Sequence, residues 1–201
     1  MKKILLALIL LSPEGPELPR EVLLSDTPIP DHSLTSRPHI RAWFFPKRAE
    51  PAIGNRVGEI DVFGTLAFEV VNGGGRRLKL TRLEDILPDR EPEWPQPARF
   101  TPLFQDLNGD SRPDFTFCDP QRFMSACRVF TVKRDGAVVL LPMADGHSGF
   151  ATPNVEWSAT GLEPASHGFC VERLRLNDTE RREFNCFEWN PESREFELRL
   201  R

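Results

Sequence analysis

Oxygen-bearing side chains recur at a regular spacing near the middle of the chain. The stretch from residue 106 to residue 114 carries Asp or Asn in its first, third, fifth and ninth positions. A hard cation such as Ca²⁺ takes about six to eight oxygen ligands, and the backbone carbonyl of the seventh position can supply one of them. The spacing therefore predicts a calcium site with the ligands Asp106, Asn108, Asp110, Arg112 and Asp114.

The residues around this loop distinguish it from an EF-hand. An EF-hand has glycine in the sixth position and a bidentate glutamate in the twelfth, where this chain has Ser111 and Phe117. Phe115, Thr116 and Phe117 alternate apolar and polar, which predicts that the loop leads into a strand. One alternative stays open. The same Asp and Asn side chains would form an Asx-turn loop without a metal, in which they accept hydrogen bonds from backbone amides.

Residues 104–118 resemble one FG-GAP/VCBS-type repeat, the calcium-binding repeat of integrin-like β-propellers and of many secreted bacterial proteins. The resemblance rests on the acidic loop, with Phe104 before it and Phe115 after it. It implies calcium as the cofactor, held in a loop that precedes a strand. Ser111 departs from the glycine usual at its position. Because propeller repeats of about 40–50 residues occur in sets of four or more, this single good copy does not predict a full propeller.

Turn signals separate short alternating apolar segments through most of the chain. Residues 72–75 and residues 135–136 carry the clearest of these signals, and each predicts a β-hairpin. The fold class predicted is all-β, with antiparallel hairpins that form a small propeller-like or sandwich β domain. Reflection about the two turns gives the expected cross-strand pairs, which are Val70 with Leu78, Phe68 with Leu80, Val132 with Val139, and Phe130 with Leu141.

Four cysteines indicate two disulfides and an oxidising compartment. By count alone, three pairings are open. The midpoint between Cys170 and Cys186 falls within a turn, so a hairpin would place these two cysteines directly opposite each other. That geometry favours the pair Cys170–Cys186, together with Cys118–Cys127, which would close a small excursion of the chain.

The N-terminal part of the chain is predicted to direct export. Residues 1–12 have a basic start and an apolar run that is shorter than the ~20 residues needed to span a bilayer. They are expected to be a secretory signal peptide, with an ordinary apolar N-terminal strand or a misjudged start of the chain as the alternatives. Residues 13–39 are rich in proline and are predicted to be a linker, and residues 40–201 to be a single β domain. The protein is expected to be periplasmic or secreted, with no transmembrane span.

Composition and motifs weigh against several classes of function. The net charge is −4 without a basic stripe, so nucleic acid is not an expected partner. Neither H-E-x-x-H nor G-x-S-x-G occurs, and no catalytic residue is assigned.

The function expected is a non-enzymatic calcium-binding module, with the metal in a structural role and an unknown protein or glycan of the cell envelope as partner. An envelope glycan hydrolase and an inhibitor of cell-wall hydrolases stay open as alternatives. Among the tryptophans that could stack on a sugar, Trp94 is expected to be the most exposed.

Overall fold

The computed structural model describes residues 17–30, 37–52, 59–87, 94–97, 100–120, 124–144, 149–153, 156–172 and 183–199. Within these residues the chain forms thirteen strands and a single helix of four residues, α1 (Leu83–Ile86). The all-β class is confirmed, since the strands form antiparallel sheets compatible with a small sandwich. In the same part of the chain, no helix has the length and apolar character needed to cross a membrane. The predicted signal peptide, residues 1–12, lies outside the described residues.

The strands form three sheets in chain order. The first sheet contains β1 (Val22–Pro28), β2 (His39–Pro51), β3 (Ile60–Val71) and β4 (Arg77–Arg82), with β5 (Trp94–Pro95) paired to β3. The middle sheet contains β6 (Asp114–Pro120), β7 (Ser125–Val132) and β8 (Val138–Leu141), with β9 (Phe150–Thr152) paired to β7. The third sheet contains β10 (Glu163–Ala165), β11 (Gly168–Glu172), β12 (Phe184–Asn190) and β13 (Glu195–Arg199).

Part of the predicted linker is a strand of the first sheet. β1 pairs antiparallel with β2, so that Val22 lies opposite Phe44 and Pro28 lies opposite His39. The side chains of Val22 and Leu24 pack against the hydrophobic core. The strand was not predicted because the prolines of this region suggest a linker. Pro28, however, lies at the end of the strand, where a missing amide is tolerated. The globular body therefore begins before residue 40.

The two glycine hairpins have registers that differ from the predicted ones. Each turn is a three-residue loop closed by a left-handed glycine, Gly75 with φ 78° and Gly136 with φ 84°, a common alternative to the two-residue turn. In the second hairpin the third loop residue shifts the pairing by one position. In the first hairpin the turn lies where predicted, with Val71 opposite Arg77, and a β-bulge that leaves Leu78 unpaired shifts the pairs beyond it by one residue. The observed pairs are Val70 with Lys79, Phe68 with Thr81, Val132 with Val138, and Phe130 with Leu140.

The middle sheet is buried on both faces. Alternate side chains of a strand point to opposite faces, and in β6 Phe117 enters the core shared with the first sheet while Cys118 enters the core shared with the third. In β7, Phe130 enters the core shared with the first sheet and Val129 enters the core shared with the third. Because both faces of the sheet are covered, β7 is buried along almost its whole length. The molecule therefore has two hydrophobic cores, one on each side of the middle sheet.

Both expected disulfides are present. Cys118 is bonded to Cys127 and Cys170 to Cys186, and no described cysteine is free. Each pair lies directly opposite in the register, across β6–β7 and across β11–β12. Disulfides persist in oxidising compartments, so these two indicate an extracellular or periplasmic environment.

A buried carboxylate organises the outer face of the first sheet. Side chains of β2 alternate, with Ile40 and Ala42 in the core and Arg41 and Trp43 on the other face. On that face the Trp43 indole donates to Glu69 at 2.9 Å, and the guanidinium of Arg77 also bonds to Glu69. Arg41 adds a positive charge 3.7 Å from the same carboxylate. The Glu69 side chain is only 5% exposed, so these partners offset the cost of its burial.

We expect Glu69→Gln to lower the free energy of unfolding by about 2 kcal/mol at neutral pH, because it weakens bonds to a charged acceptor. Burial alone would raise the pKa of Glu69, but Arg77, Trp43 and Arg41 outweigh burial and hold the pKa below its usual value. The stabilisation is therefore complete above the unfolded pKa of about 4.3 and is lost as pH falls through the lower folded pKa. Urea denaturation of both proteins between pH 7 and pH 3 measures this. A difference that stays constant across the range would contradict the assignment.

Candidate metal-binding loop

The ends of the acidic loop are fixed by backbone and core contacts. The amide of Gln105 donates to the carbonyl of Asp114 at 2.9 Å, and the amide of Asp114 donates back at 2.7 Å. Asp114 is also the first residue of β6, as the strand pattern after the loop predicted. Within the loop, the Leu107 side chain is 2% exposed and packs in the core shared with the third sheet. The loop is therefore held at the edge of the middle sheet.

Side-chain oxygens of the loop accept hydrogen bonds from its own backbone. Asp106 accepts from the amides of Gly109, Asp110 and Ser111 at 2.8, 3.1 and 2.9 Å. Asn108 accepts from the amide of Asp110 at 3.1 Å, and Asp110 accepts from that of Arg112 at 2.9 Å. These are the bonds of the Asx-turn alternative. A carboxylate has about four lone-pair sites, so they leave capacity on Asp106 and Asp110.

Two residues of the loop have left-handed backbone conformations. Gly109 has φ 77° and Ser111 has φ 64°. Ser111 is the residue that departs from the glycine usual in the resembling repeats, and its conformation is one that favours glycine. The bond from its amide to Asp106 helps to hold it there. The serine is therefore accommodated in the tight turn that a glycine would form.

Asp114 is the most deeply buried acidic residue of the loop. Its side chain has 0% exposure, and its Oδ2 atom accepts from the amides of Leu107 at 2.9 Å and Asn108 at 3.3 Å. Its Oδ1 atom has no hydrogen-bond partner among the described residues. Thr131 lies opposite Asp114 in the register, and its hydroxyl oxygen is likewise buried without a hydrogen-bond partner of normal geometry. Burial is the dominant influence and raises the pKa of Asp114 to about 7.

The acidic side chains of the loop do not by themselves form a metal-binding cluster. No three His, Cys, Asp or Glu side chains in the described residues, these aspartates included, are grouped so that they could hold a metal ion. The guanidinium of Arg112 lies 3.9 Å from Asp110 and places a positive charge beside that carboxylate. The arrangement as it stands is a backbone-capped acidic turn with one buried, incompletely bonded carboxyl.

A histidine of the third sheet lies against the loop, and sequence reasoning did not identify it. A Cβ atom added to Gly109 would lie 2.5 Å from the Nδ1 atom of His167. The carbonyl of His167 accepts the amide of Trp189 at 2.7 Å, which ties it to β12. A residue larger than glycine at position 109 would therefore push the loop away from the third sheet. No local pattern around His167 indicates this contact, since it arises from packing between distant segments.

Features that would favour a glycan hydrolase are not found where the sequence suggested them. Trp94 was expected to be exposed, but it is 4% exposed and packs edge-on against Phe117. The expectation that Trp94 is exposed came from its proline and glutamate neighbours. In the structure the pairing of β5 with β3 buries the ring. Glu188 and Glu197 lie opposite each other in β12 and β13, but Arg199 lies 3.1 Å from both carboxylates. The two carboxylates therefore share one arginine as their ion-pair partner.

Comparison with known proteins adds no family to these observations. No protein-family model, no curated protein and no solved structure matches the chain. The resemblance of residues 104–118 to an FG-GAP/VCBS repeat therefore stays a prediction.

Proposed function

We propose that this protein is an exported, non-enzymatic β protein that binds Ca²⁺ in the loop of residues 106–114 and acts as a protein- or glycan-binding module. The observation that carries the calcium part of the proposal is the Asp114 carboxyl, which is fully buried with its Oδ1 atom unpartnered. Few buried polar atoms in folded proteins lack a hydrogen-bond partner, and an ion is one of the partners that can satisfy such an atom. In an acidic loop, a hard cation is the ligand that this atom fits best.

A cation would satisfy the loop without undoing its hydrogen bonds. The Oδ2 atom of Asp114 already accepts two amides, so Oδ1 is the atom left for the ion. Asp106 and Asp110 retain lone pairs beyond their amide bonds, and Asn108 lies between them in the turn. Binding would require these side chains to turn toward one centre, because they do not form a metal-binding group as they stand among the described residues. The positive charge would also offset the mutual repulsion of three carboxylates in a short segment.

The proposed role of the ion is structural. The loop borders the middle sheet, contributes Leu107 to one core, and contacts His167 of the third sheet. An ion that binds only the folded loop stabilises the folded state by mass action. Sites of this kind in extracellular modules bind calcium at about 10⁻⁴–10⁻³ M, which suits the oxidising environment that the two disulfides indicate.

Calcium is expected to raise the melting temperature. At about 10 mM Ca²⁺ and the affinities of extracellular modules, linkage supplies about 1.4–2.7 kcal/mol. For a chain of this size that corresponds to a rise of about 3–10 °C. Differential scanning calorimetry in CaCl₂ and in EDTA measures it. Equal melting temperatures in the two solutions would remove the calcium proposal and leave the Asx-turn loop as the interpretation.

Charge-neutral variants separate metal binding from loop geometry. Asp110→Asn keeps an oxygen that accepts the Arg112 amide but removes a carboxylate, so it is expected to abolish most of the calcium-dependent rise. Asp106→Asn should abolish it as well, but it also removes the acceptor of the Ser111 amide, so Asp110→Asn is the cleaner test. Asp85→Asn is the matched control, because Asp85 is exposed in α1 outside the loop, and it should keep the full rise. If the control lost the rise as well, the effect would be one of general surface charge.

A further inference from the structure

The tips of two hairpins meet at one end of the molecule. The turn between β7 and β8 contacts the start of β4, since a Cβ atom on Gly136 would lie 2.9 Å from the Cβ atom of Leu78 and 3.5 Å from that of Lys79. Gly136 itself is buried although its turn neighbours are exposed. The absence of a side chain at this position lets the two tips approach closely, and a shallow groove runs beside the contact.

This groove, called here the tip groove, has an apolar floor and a basic rim. Its floor combines residues from the first sheet, from the chain just before β2 and β6, and from the end of β7. The floor residues are Ile29, Pro38, Val70, Pro113 and Val132. Leu78, which is 43% exposed, extends the apolar surface at one side. Lys133 and Arg134 line the rim, and Lys79 lies beside Gly136.

The charges on the rim are available to a partner. Lys79, Lys133 and Arg134 are exposed, and within the described part of the chain none of them forms an ion pair. No acidic residue lines the tip groove itself, although Asp135 is exposed in the same turn as Lys133 and Arg134 and accepts the amide of Ala137. The chain as a whole has a net charge of −4. With Asp135 counted, the three cations still leave this part of the surface with a net positive charge, in contrast to the molecule as a whole.

We propose that the tip groove binds an acidic segment of a partner protein, with carboxylates on the basic rim and one apolar side chain lying over the shallow floor, whose volume of about 10 Å³ is too small to enclose it. Complementary charge selects the partner and speeds its association, and burial of the apolar side chain supplies affinity at about 25 cal/mol per Å². The groove is short and its cations are few, which suits a peptide segment better than a nucleic acid, whose backbone needs an extended basic track. The inference rests on the proposed function as a binding module but requires no metal.

Labelled peptides provide the test. The probe is a pentapeptide of four glutamates around a central leucine, compared with a version that has lysines in place of the glutamates and a version that has serine in place of the leucine. Fluorescence anisotropy at low salt is expected to show at least about ten-fold tighter binding of the acidic leucine peptide, with most of the affinity lost near 0.5 M NaCl because the charges are exposed. Amide shifts in ¹H–¹⁵N spectra should concentrate in residues 133–138 and 78–79.

Charge reversal at the rim gives a matched comparison. Lys133→Glu with Arg134→Glu is expected to weaken binding of the acidic peptide by at least about ten-fold. Arg20→Glu with Lys47→Glu changes the net charge equally at exposed positions outside the groove and should leave binding unchanged. Equal loss in both double variants, or equal affinity for the acidic and basic peptides, would overturn the proposal. Measurement in CaCl₂ and in EDTA separates this result from the calcium proposal, because the preference for acidic peptides is expected in both.

Discussion

Phe117→Ala is expected to lower the free energy of unfolding by about 3–5 kcal/mol, as for other buried phenylalanines cut back to alanine. Phe117 lies in β6 with 0% exposure. Its ring contacts three further aromatic rings at 5.4–5.7 Å between centroids, those of Trp94, Phe100 and Trp157. These rings come from separate segments of the chain. The vacated space therefore cannot close by movement of one neighbour, and the cost should lie at the upper end of the range.

Urea denaturation followed by tryptophan fluorescence measures this effect, because Trp94 and Trp157 both border the ring. Leu198→Ala is the control, since Leu198 is 50% exposed on β13, and it should change stability by no more than about 0.5 kcal/mol. A loss at Phe117 as small as that at Leu198 would contradict the arrangement of the core shared by the first and middle sheets. Phe117→Leu should recover most of the loss, because it refills much of the volume with an apolar side chain.

Removal of one disulfide, through Cys170→Ala together with Cys186→Ala, is expected to cost about 3 kcal/mol. The bond joins residues separated by 16 positions, and in the chain-entropy model a loop of about this length accounts for that stabilisation. Alanine leaves no polar group in the partly apolar surroundings. The double alanine variant of Cys118 and Cys127, separated by 9 positions, should cost slightly less from loop closure alone.

Chemical denaturation of each double variant against the oxidised protein provides the comparison. The oxidised protein treated with a reductant serves as an independent check, and its stability should fall below that of either variant because it loses both bonds. Mass spectrometry of alkylated protein should find no free thiol before reduction. Four free thiols in protein isolated from its native compartment would contradict the disulfides and the export inferred from them.

The sequence predicts a cross-strand pair best where the position of the turn and the types of the two side chains indicate the same pairing. Cys170 pairs with Cys186, as reflection about the turn between them required. In the hairpins at Gly75 and Gly136 the same reasoning was off by one residue. At Gly136 a left-handed glycine adds a third residue to the loop, and in the Gly75 hairpin a bulge displaces Leu78. Two-residue and three-residue turns share the same sequence signal.

Burial was harder to predict than strand character. Trp94 has polar and proline neighbours but is enclosed by pairing with Gly64, where a close approach to Phe45 leaves no room for a side chain. β1 lies between prolines, and only its partner β2 reveals it as a strand. Such features depend on which distant segments meet. They follow from the arrangement of the sheets and leave no periodic pattern in the chain.

The acidic loop shows the same division between local and distant information. Its position before a strand and its Asx bonds follow from local residue types, as the spacing of Asp106, Asn108 and Asp110 indicated. The complete burial of Asp114 does not, because it depends on Thr131 and the rest of β7 across the sheet. The contact of Gly109 with His167 likewise joins segments far apart in sequence.

The two covered faces of the middle sheet make its strands intolerant of changes in length. Neighbouring residues of β6 and β7 belong to different cores, so one inserted or deleted residue would send every following side chain of the strand into the opposite core. Cys118 would then face the aromatic cluster, and a phenylalanine would replace it beside Cys127. Length variation among homologous chains should consequently accumulate in the turns, while these two strands change only by substitution.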